Sequence, residues 1–89
     1  MKHAGADALD QLEPLLQRLR AFEALKERAR GTFYVKSRAF LHFHEDPKGL
    51  FADLRGEDGV DFDRFQIDAP SDQNALVRTV SVRLDHFEP

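Results

Sequence analysis

The sequence contains no cysteine and no tryptophan, and it has a single tyrosine among 89 residues. Without cysteine, a disulfide scaffold, a thiolate zinc site and a cysteine nucleophile are excluded. No apolar run approaches the roughly 20 residues that a membrane-spanning helix needs. The first ten residues also lack the apolar stretch of a secretory signal. We therefore expect a cytoplasmic protein with no membrane partner.

What the sequence does contain is apolar and charged material in proportions typical of a small folded domain. Hydrophobic residues make up 42%, charged residues 33%, and eight phenylalanines supply most of the aromatic side chains. This content is too apolar for a disordered chain, and the length is too short for two hydrophobic cores. We expect one α+β domain over residues 1–89, with residues 1–6 flexible.

The first half of the pattern is helical. Apolar residues recur at helical spacing from Leu9 to Ala29, and Gly31 follows as a residue typical of a helix end. Pro14 leaves two interpretations open, since proline is tolerated only in the first turn of a regular helix. The helix begins near Glu13 after a separate turn, or a kinked helix begins near residue 7.

After Gly31 the apolar period changes to two, which is typical of strands. Strands are predicted over 32–36, 38–45, 50–56 and 60–67. A second helix is predicted after Pro70, with Ser71 as its N-cap. The order indicates an α+β fold: an N-terminal helix, a four-stranded antiparallel meander and a C-terminal helix, with both helices on one face of the sheet.

The register of the second hairpin follows from its turn at 46–49. A turn centred there pairs His42 with Asp53 and Leu41 with Leu54, which separates apolar from polar side chains. A slip of one residue would mix the two sets, so the separation supports this register. The apolar face should meet the helices, and we call the opposite one the outer face. A three-residue turn at 36–38 would complete the outer face as Tyr34, Phe40, His42, His44, Phe51, Asp53 and Arg55.

No helix is left to cover the outer face, so we predict that a small ligand or a second copy of the chain contacts it. The sequence therefore favours a non-enzymatic binding or interaction domain, most simply a homodimer. Within this face, His42 and His44 lie about 6–7 Å apart at Cα. Two such histidines can chelate a metal ion, with Asp53 as a carboxylate ligand, so metal binding is one alternative.

A second alternative is DNA or RNA binding. Residues 18–38 carry seven basic and two acidic side chains, whereas residues 39–63 carry two basic and seven acidic ones. A basic block of this kind is typical of an anion-binding surface, but the net charge of −3 disfavours a nucleic-acid partner. The side chains that would contact the phosphates are Arg28, Arg30, Lys36 and Arg38.

Motifs for catalysis are missing from the sequence. It has no nucleophile elbow, and no glycine-rich phosphate loop, since Gly56 and Gly59 are turn glycines. Residues 58–63 lack the order of acidic residues and the closing glutamate of a calcium loop. The sequence thus predicts no enzymatic activity, no catalytic residue and no cofactor.

The run from Gly31 to Phe43, GTFYVKSRAFLHF, resembles the core motif of the MmcQ/YjbR-like family of uncharacterised bacterial proteins. In that motif a basic turn leads into a strand with an aromatic centre. The resemblance implies a compact fold of CyaY-like type. It also implies DNA binding through a wing-like hairpin, whose turn here would be Lys36-Ser37-Arg38.

Overall fold

A computed structural model describes residues 1–87 of the chain. It has six strands and two helices, in the order one short strand, a helix, five strands and a second helix. The elements are β1 (Lys2–His3), α1 (Ala6–Arg20), β2 (Lys26–Ala29), β3 (Thr32–Val35), β4 (Arg38–Asp46), β5 (Gly49–Arg55), β6 (Phe62–Gln66) and α2 (Pro70–Phe87).

All six strands form one antiparallel sheet. Five of them follow chain order, β2-β3-β4-β5-β6, as expected for a meander of short hairpins. The short β1 pairs with β4, placing His3 opposite His44 and Lys2 opposite Glu45. β3 pairs with the first residues of β4 and β1 pairs with its last residues, so the two short strands lie one after the other along the same edge of β4.

One hydrophobic core lies between the sheet and the two helices. Its largest fully buried side chains come from α1, from α2 and from alternate positions of the strands. The alternation of β4 sends Leu41 and Phe43 into this core and leaves His42 and His44 outside it. The α+β class, the antiparallel sheet and the flanking helices are therefore as predicted. None of the helices over residues 1–87 is long and apolar enough to cross a membrane.

The predicted extent of the first helix is wrong. α1 runs without a break from Ala6 through Pro14 and ends at Arg20, and the residues predicted as its last turns form β2. Gly31, expected to end the helix, lies at φ 80° between β2 and β3. The apolar spacing continued past the true helix end because Leu25 belongs to the same core. Residues 1–6, expected to be flexible, include β1 and the first helical residue.

The sheet also differs from the expected meander in its number of strands and in its first hairpin. It has six strands rather than four, because β1 and β2 were not predicted. The β3–β4 turn has two residues, Lys36 and Ser37, rather than three, since Val35 pairs with Arg38. The predicted register of the β4–β5 hairpin is confirmed, from Leu41 opposite Leu54 onward.

α2 begins two residues earlier than expected. Its first residue is Pro70, where the missing N–H costs no helical hydrogen bond. Ser71 is therefore inside the helix and not its N-cap. Instead, a carboxylate oxygen of Asp72 accepts a hydrogen bond from the backbone N–H of Ala69 at 3.3 Å.

Candidate functional site

Two histidines and one carboxylate converge at the centre of the outer face. His42 and His44 are brought side by side by the strand period of two, and Asp53 faces His42 across the β4–β5 ladder. Asp53 Oδ2 lies 3.5 Å from His42 Nε2 and 3.1 Å from His44 Nε2. The two imidazole rings are 4.9 Å apart, edge to face. We call these three residues the histidine cluster.

Asp53 is a buried carboxylate, with only 6% of its surface exposed. Arg64, opposite it on β6, donates from Nε to Oδ1 at 2.7 Å and from a terminal nitrogen to Oδ2 at 2.8 Å. Burial raises the pKa of Asp53, but the hydrogen bonds and charge of Arg64 outweigh it, so the net pKa is lowered. Asp53 is thus a carboxylate anion at neutral pH.

His44 stands out because its hydrogen-bonding capacity is unused. Within residues 1–87, neither of its buried ring nitrogens has a hydrogen-bond partner. The 3.1 Å approach of Nε2 to Asp53 Oδ2 is close enough, but it lacks the alignment of a hydrogen bond. A buried polar atom without a partner costs about 1–3 kcal/mol. The ring therefore retains a lone pair for another group.

His42 is held in the neutral form at neutral pH. Burial is the main cause that lowers its pKa, and the charge of Asp53 opposes this only in part. A neutral imidazole is the form that coordinates metal ions. His42 and Asp53 therefore present a neutral nitrogen donor and an anionic oxygen donor, and His44 lies beside them.

The two nitrogen-to-oxygen distances in the histidine cluster are close to those between ligands of a tetrahedral ion. With zinc ligands at about 2.0–2.1 Å, neighbouring ligand atoms in a tetrahedron lie about 3.3–3.4 Å apart. Both nitrogen-to-oxygen distances, 3.1 and 3.5 Å, bracket this value. All three ligand atoms lie within 4.8 Å of one another. The three atoms are thus grouped closely enough for their side chains to close around one ion.

Three residues around the histidine cluster were not predicted from the sequence. The ring of His3 stacks on His44 at 4.7 Å, the ring of Phe62 lies 5.2 Å from His42, and Arg64 binds Asp53. The opposite charges of Asp53 and Arg64 could have predicted their pairing, but only with knowledge of the β5–β6 register. His3 gives no such signal, because its partner strand lies about 40 residues away in the chain.

The rest of the outer face is less open than expected, and one of its predicted members is wrong. Phe40 is 1% exposed and belongs to the hydrophobic core. The register between β3 and β4 shifts by one residue at this point, because Phe33 faces Leu41 while Tyr34 faces Ala39. Such a bulge turns a side chain to the other face.

The other predicted members of the outer face are partly buried: Tyr34, Phe51 and Arg55. The exposed large hydrophobic side chains within residues 1–87 are Met1, Val60 and Val82, none of which belongs to this face. The outer face therefore presents imidazoles and paired charges rather than an apolar contact area.

The four basic residues proposed for nucleic-acid binding separate into different environments. Arg30 is bound by Asp10 and Glu13 at 2.7 and 2.8 Å. The Arg28 guanidinium lies 4.7 Å from the ring centroid of Tyr34. Lys36 and Arg38 remain together beside the β3–β4 turn.

Comparisons with family models, with curated proteins and with solved structures find no match to this chain. The resemblance to the MmcQ/YjbR-like family and the DNA binding that it implies therefore stay predictions.

Proposed function

We propose that this protein binds a divalent transition-metal ion, with zinc as the reference ion, through His42, His44 and Asp53. The observation that carries the proposal is the convergence of both Nε2 atoms on a single carboxylate oxygen, at 3.1 and 3.5 Å. Two imidazoles and a carboxylate are ligands that zinc, nickel and copper accept. A fourth position is left for water or for a further ligand.

The unused nitrogens of His44 support a metal ion over a purely structural role. In a structural cluster, the buried imidazole would donate a hydrogen bond to Asp53 or to a backbone carbonyl. Here both ring nitrogens lack a partner within residues 1–87. Coordination by Nε2 would use the lone pair and would give one of these two nitrogens a partner.

Arg64 is compatible with an ion at this site. Its Nε binds Asp53 Oδ1, the oxygen that does not face the histidines. Half of its side chain is exposed, so its second hydrogen bond, to Oδ2, can be exchanged for water. Arg64 would then stay bonded to Oδ1, and Oδ2 would be left to the ion.

This proposal replaces neither homodimer formation nor nucleic-acid binding, both of which stay predictions. It is preferred because the outer face concentrates donor atoms, whereas its large apolar side chains are partly or fully buried. We assign no reaction to the site.

Isothermal titration calorimetry with zinc chloride tests the proposal on the metal-free protein. His44→Ala and, separately, His42→Ala should each weaken zinc binding at least tenfold, since even substitutions beside metal ligands cost about 10–100-fold. Zinc at 100 times its Kd should stabilise the wild type against thermal unfolding by about 2.7 kcal/mol.

The matched control is His86→Ala, because His86 lies on α2 and contacts the Glu57 carbonyl oxygen at 3.0 Å, away from the cluster. This variant should bind zinc as the wild type does. Circular dichroism of each metal-free variant checks that it is folded. Equal zinc affinity for the wild type and both folded cluster variants would overturn the proposal.

A further inference from the structure

A cavity separate from the histidine cluster lies where the β3–β4 turn, the end of β5 and the end of α2 meet. Its volume is about 110 Å³. The floor is apolar: Phe40 and Phe87 meet edge to face at 6.1 Å, beside the buried Val35. The rim is cationic, since its remaining lining residues are Lys36, Arg38 and Arg55.

The two arginines of the rim are bound to backbone oxygens rather than to carboxylates. Arg38 and Arg55 each donate a hydrogen bond to the carbonyl oxygen of Gly59, both at 2.8 Å. Arg55 also donates to the Ala39 carbonyl oxygen at 2.6 Å. Among residues 1–87, neither arginine forms an ion pair with a carboxylate. Two guanidinium groups thus meet at one oxygen, and within these residues the carboxylate charge that acts on Arg55 is that of Asp58, to which it is not bonded.

The neighbouring charges act on Arg55. Burial, and then the charge of Arg38, lowers the pKa of Arg55, and the charge of Asp58 opposes this only in part. An anion placed between the two guanidinium groups would relieve this repulsion. Each guanidinium also keeps donor N–H groups beyond those bound to the Gly59 and Ala39 oxygens, because arginine has five donors.

Lys36 is placed at the rim by a strained turn. Lys36 and Ser37 have φ values of 50° and 72°, in the left-handed region that glycine and asparagine usually occupy in two-residue turns. Such backbone strain is concentrated at functional sites. Here it brings a third cation to the same cavity.

We propose that the cavity binds a small organic anion, a carboxylate or a phosphate monoester, that carries a short aliphatic group. A cavity of about 150 Å³ holds benzene, so 110 Å³ suits a smaller branched chain. The aliphatic group would contact Phe40 and Phe87, and the anionic group would lie at the rim, beside the guanidinium groups of Arg38 and Arg55 and the ammonium group of Lys36. The C-terminal end of α2 contributes only about half a negative charge, less than the three cations.

A small anion fits the cavity better than a nucleic acid does. An apolar floor enclosed by two phenylalanines can hold an aliphatic chain, whereas a phosphate backbone needs an extended basic surface. The basic surface beyond Lys36 is interrupted by Glu23, which lines the neighbouring depression with Lys26 and Arg28.

Nitrogen-15 heteronuclear NMR titration with isovalerate, the neutral isovaleramide and the shorter acetate tests this inference. Isovalerate should shift the backbone signals of the rim and bind roughly tenfold more tightly than either comparison compound. Butyl phosphate, titrated in parallel, distinguishes a carboxylate from a phosphate ligand. Arg38→Gln should weaken isovalerate binding roughly tenfold. Lys36→Gln, which changes an exposed side chain of the rim, is the second variant and should also weaken isovalerate binding.

Lys48→Gln is the matched control, because Lys48 lies in the β4–β5 turn and does not line the cavity. It should bind isovalerate as the wild type does. Equal binding of isovalerate and isovaleramide would overturn the inference, as would unchanged binding by both rim variants. An Arg38-dependent interaction with a single-stranded oligonucleotide, without isovalerate binding, would favour a nucleic-acid surface instead. None of these outcomes depends on zinc binding.

Discussion

Asp53 is the residue on which the histidine cluster depends. Its carboxylate is buried and is approached by two imidazoles on one side and by one guanidinium on the other. The charge of a buried carboxylate must be balanced by a positive charge nearby. Within residues 1–87, Arg64 is the only arginine or lysine that forms an ion pair with Asp53. In the metal-free protein, Arg64 therefore provides the positive charge that a bound ion would also provide.

Because the two cations compete, Arg64→Gln should have opposite effects on stability and on metal binding. The free energy of unfolding of the metal-free protein should fall, although the half-exposed Arg64 side chain and screening of the pair limit the loss. Zinc affinity should rise roughly tenfold, because a nearby positive charge is removed.

Urea unfolding and zinc titration measure these two effects. Arg78→Gln on the exposed face of α2 removes the same charge far from the cluster, and it should change neither quantity appreciably. A loss of zinc affinity in Arg64→Gln as large as that in His44→Ala would contradict competition between the two cations.

Among the elements, the β3–β4 turn has a strained backbone and also borders the cavity lined by Phe40 and Phe87. Its two central residues, Lys36 and Ser37, have positive φ, whereas natural two-residue turns favour asparagine and glycine. The flanking strands hold this conformation, because Val35 and Arg38 are paired. The strain is thus a local cost that the ladder offsets.

Ser37→Gly should stabilise the protein by about 0.5–1 kcal/mol, because glycine adopts a φ of 72° without steric cost. The same substitution in a helix, Ser81→Gly in α2, should instead destabilise by about 0.5 kcal/mol. Urea unfolding of both variants measures the difference in sign. Equal destabilisation by the two substitutions would show that the turn is not strained.

At the scale of the whole molecule, a network of ion pairs joins α1 to the β2–β3 hairpin. Glu13 binds Arg20 at 2.6 Å and Arg30 at 2.8 Å, and Arg20 also binds Glu27 on β2. These contacts cross from the helix to the edge of the sheet. They also pair Arg20 and Arg30, two basic side chains of the 18–38 segment, with carboxylates, so these two are not free to contact phosphates.

The ion-pair network predicts a specific loss of stability in acid. Hydrogen bonds from Arg20 and then Arg30 lower the pKa of Glu13 from 4.5 to about 2. A carboxyl group with a lowered pKa in the folded state contributes stability that is fully present above its unfolded pKa. This contribution should therefore disappear as the pH falls from about 4.5 to about 2.

Glu13→Gln removes that contribution, so the variant should be less stable than the wild type at pH 7 and equally stable near pH 2. Urea unfolding between these pH values measures the convergence of the two curves. Glu23→Gln, in the loop after α1 and without a recorded ion pair within residues 1–87, is the control and should follow the wild-type curve. A constant difference between Glu13→Gln and the wild type at all pH values would contradict the assignment.

The parts of the fold that were predictable depend on local alternation. The hydrophobic period of two along 38–55 separates two faces, so it determined the register that places His42 opposite Asp53. The second helix was also predictable, because its apolar stripe and its initial proline are adjacent in the chain. Two of the three members of the histidine cluster lie in one tripeptide, which a reader of the sequence can see directly.

The remaining features depend on contacts between distant segments. The end of α1 at Arg20 is decided by the pairing of β2 with β3, which competes with a helical pattern of similar apolar spacing. The bulge between β3 and β4 accompanies the burial of Phe40, whose ring meets that of Phe87 in α2 at 6.1 Å.

By itself, the sequence determined the α+β class, the central hairpin and the presence of histidines on its outer face, because strand alternation is a local property. Only the tertiary structure decided that Arg64 neutralises Asp53 and that His3 stacks on His44, because those contacts join separate strands. It also brought Lys36, Arg38 and Arg55 to one cavity, since three segments meet there. Cross-strand and helix-to-sheet packing set these positions, and no local pattern encodes them.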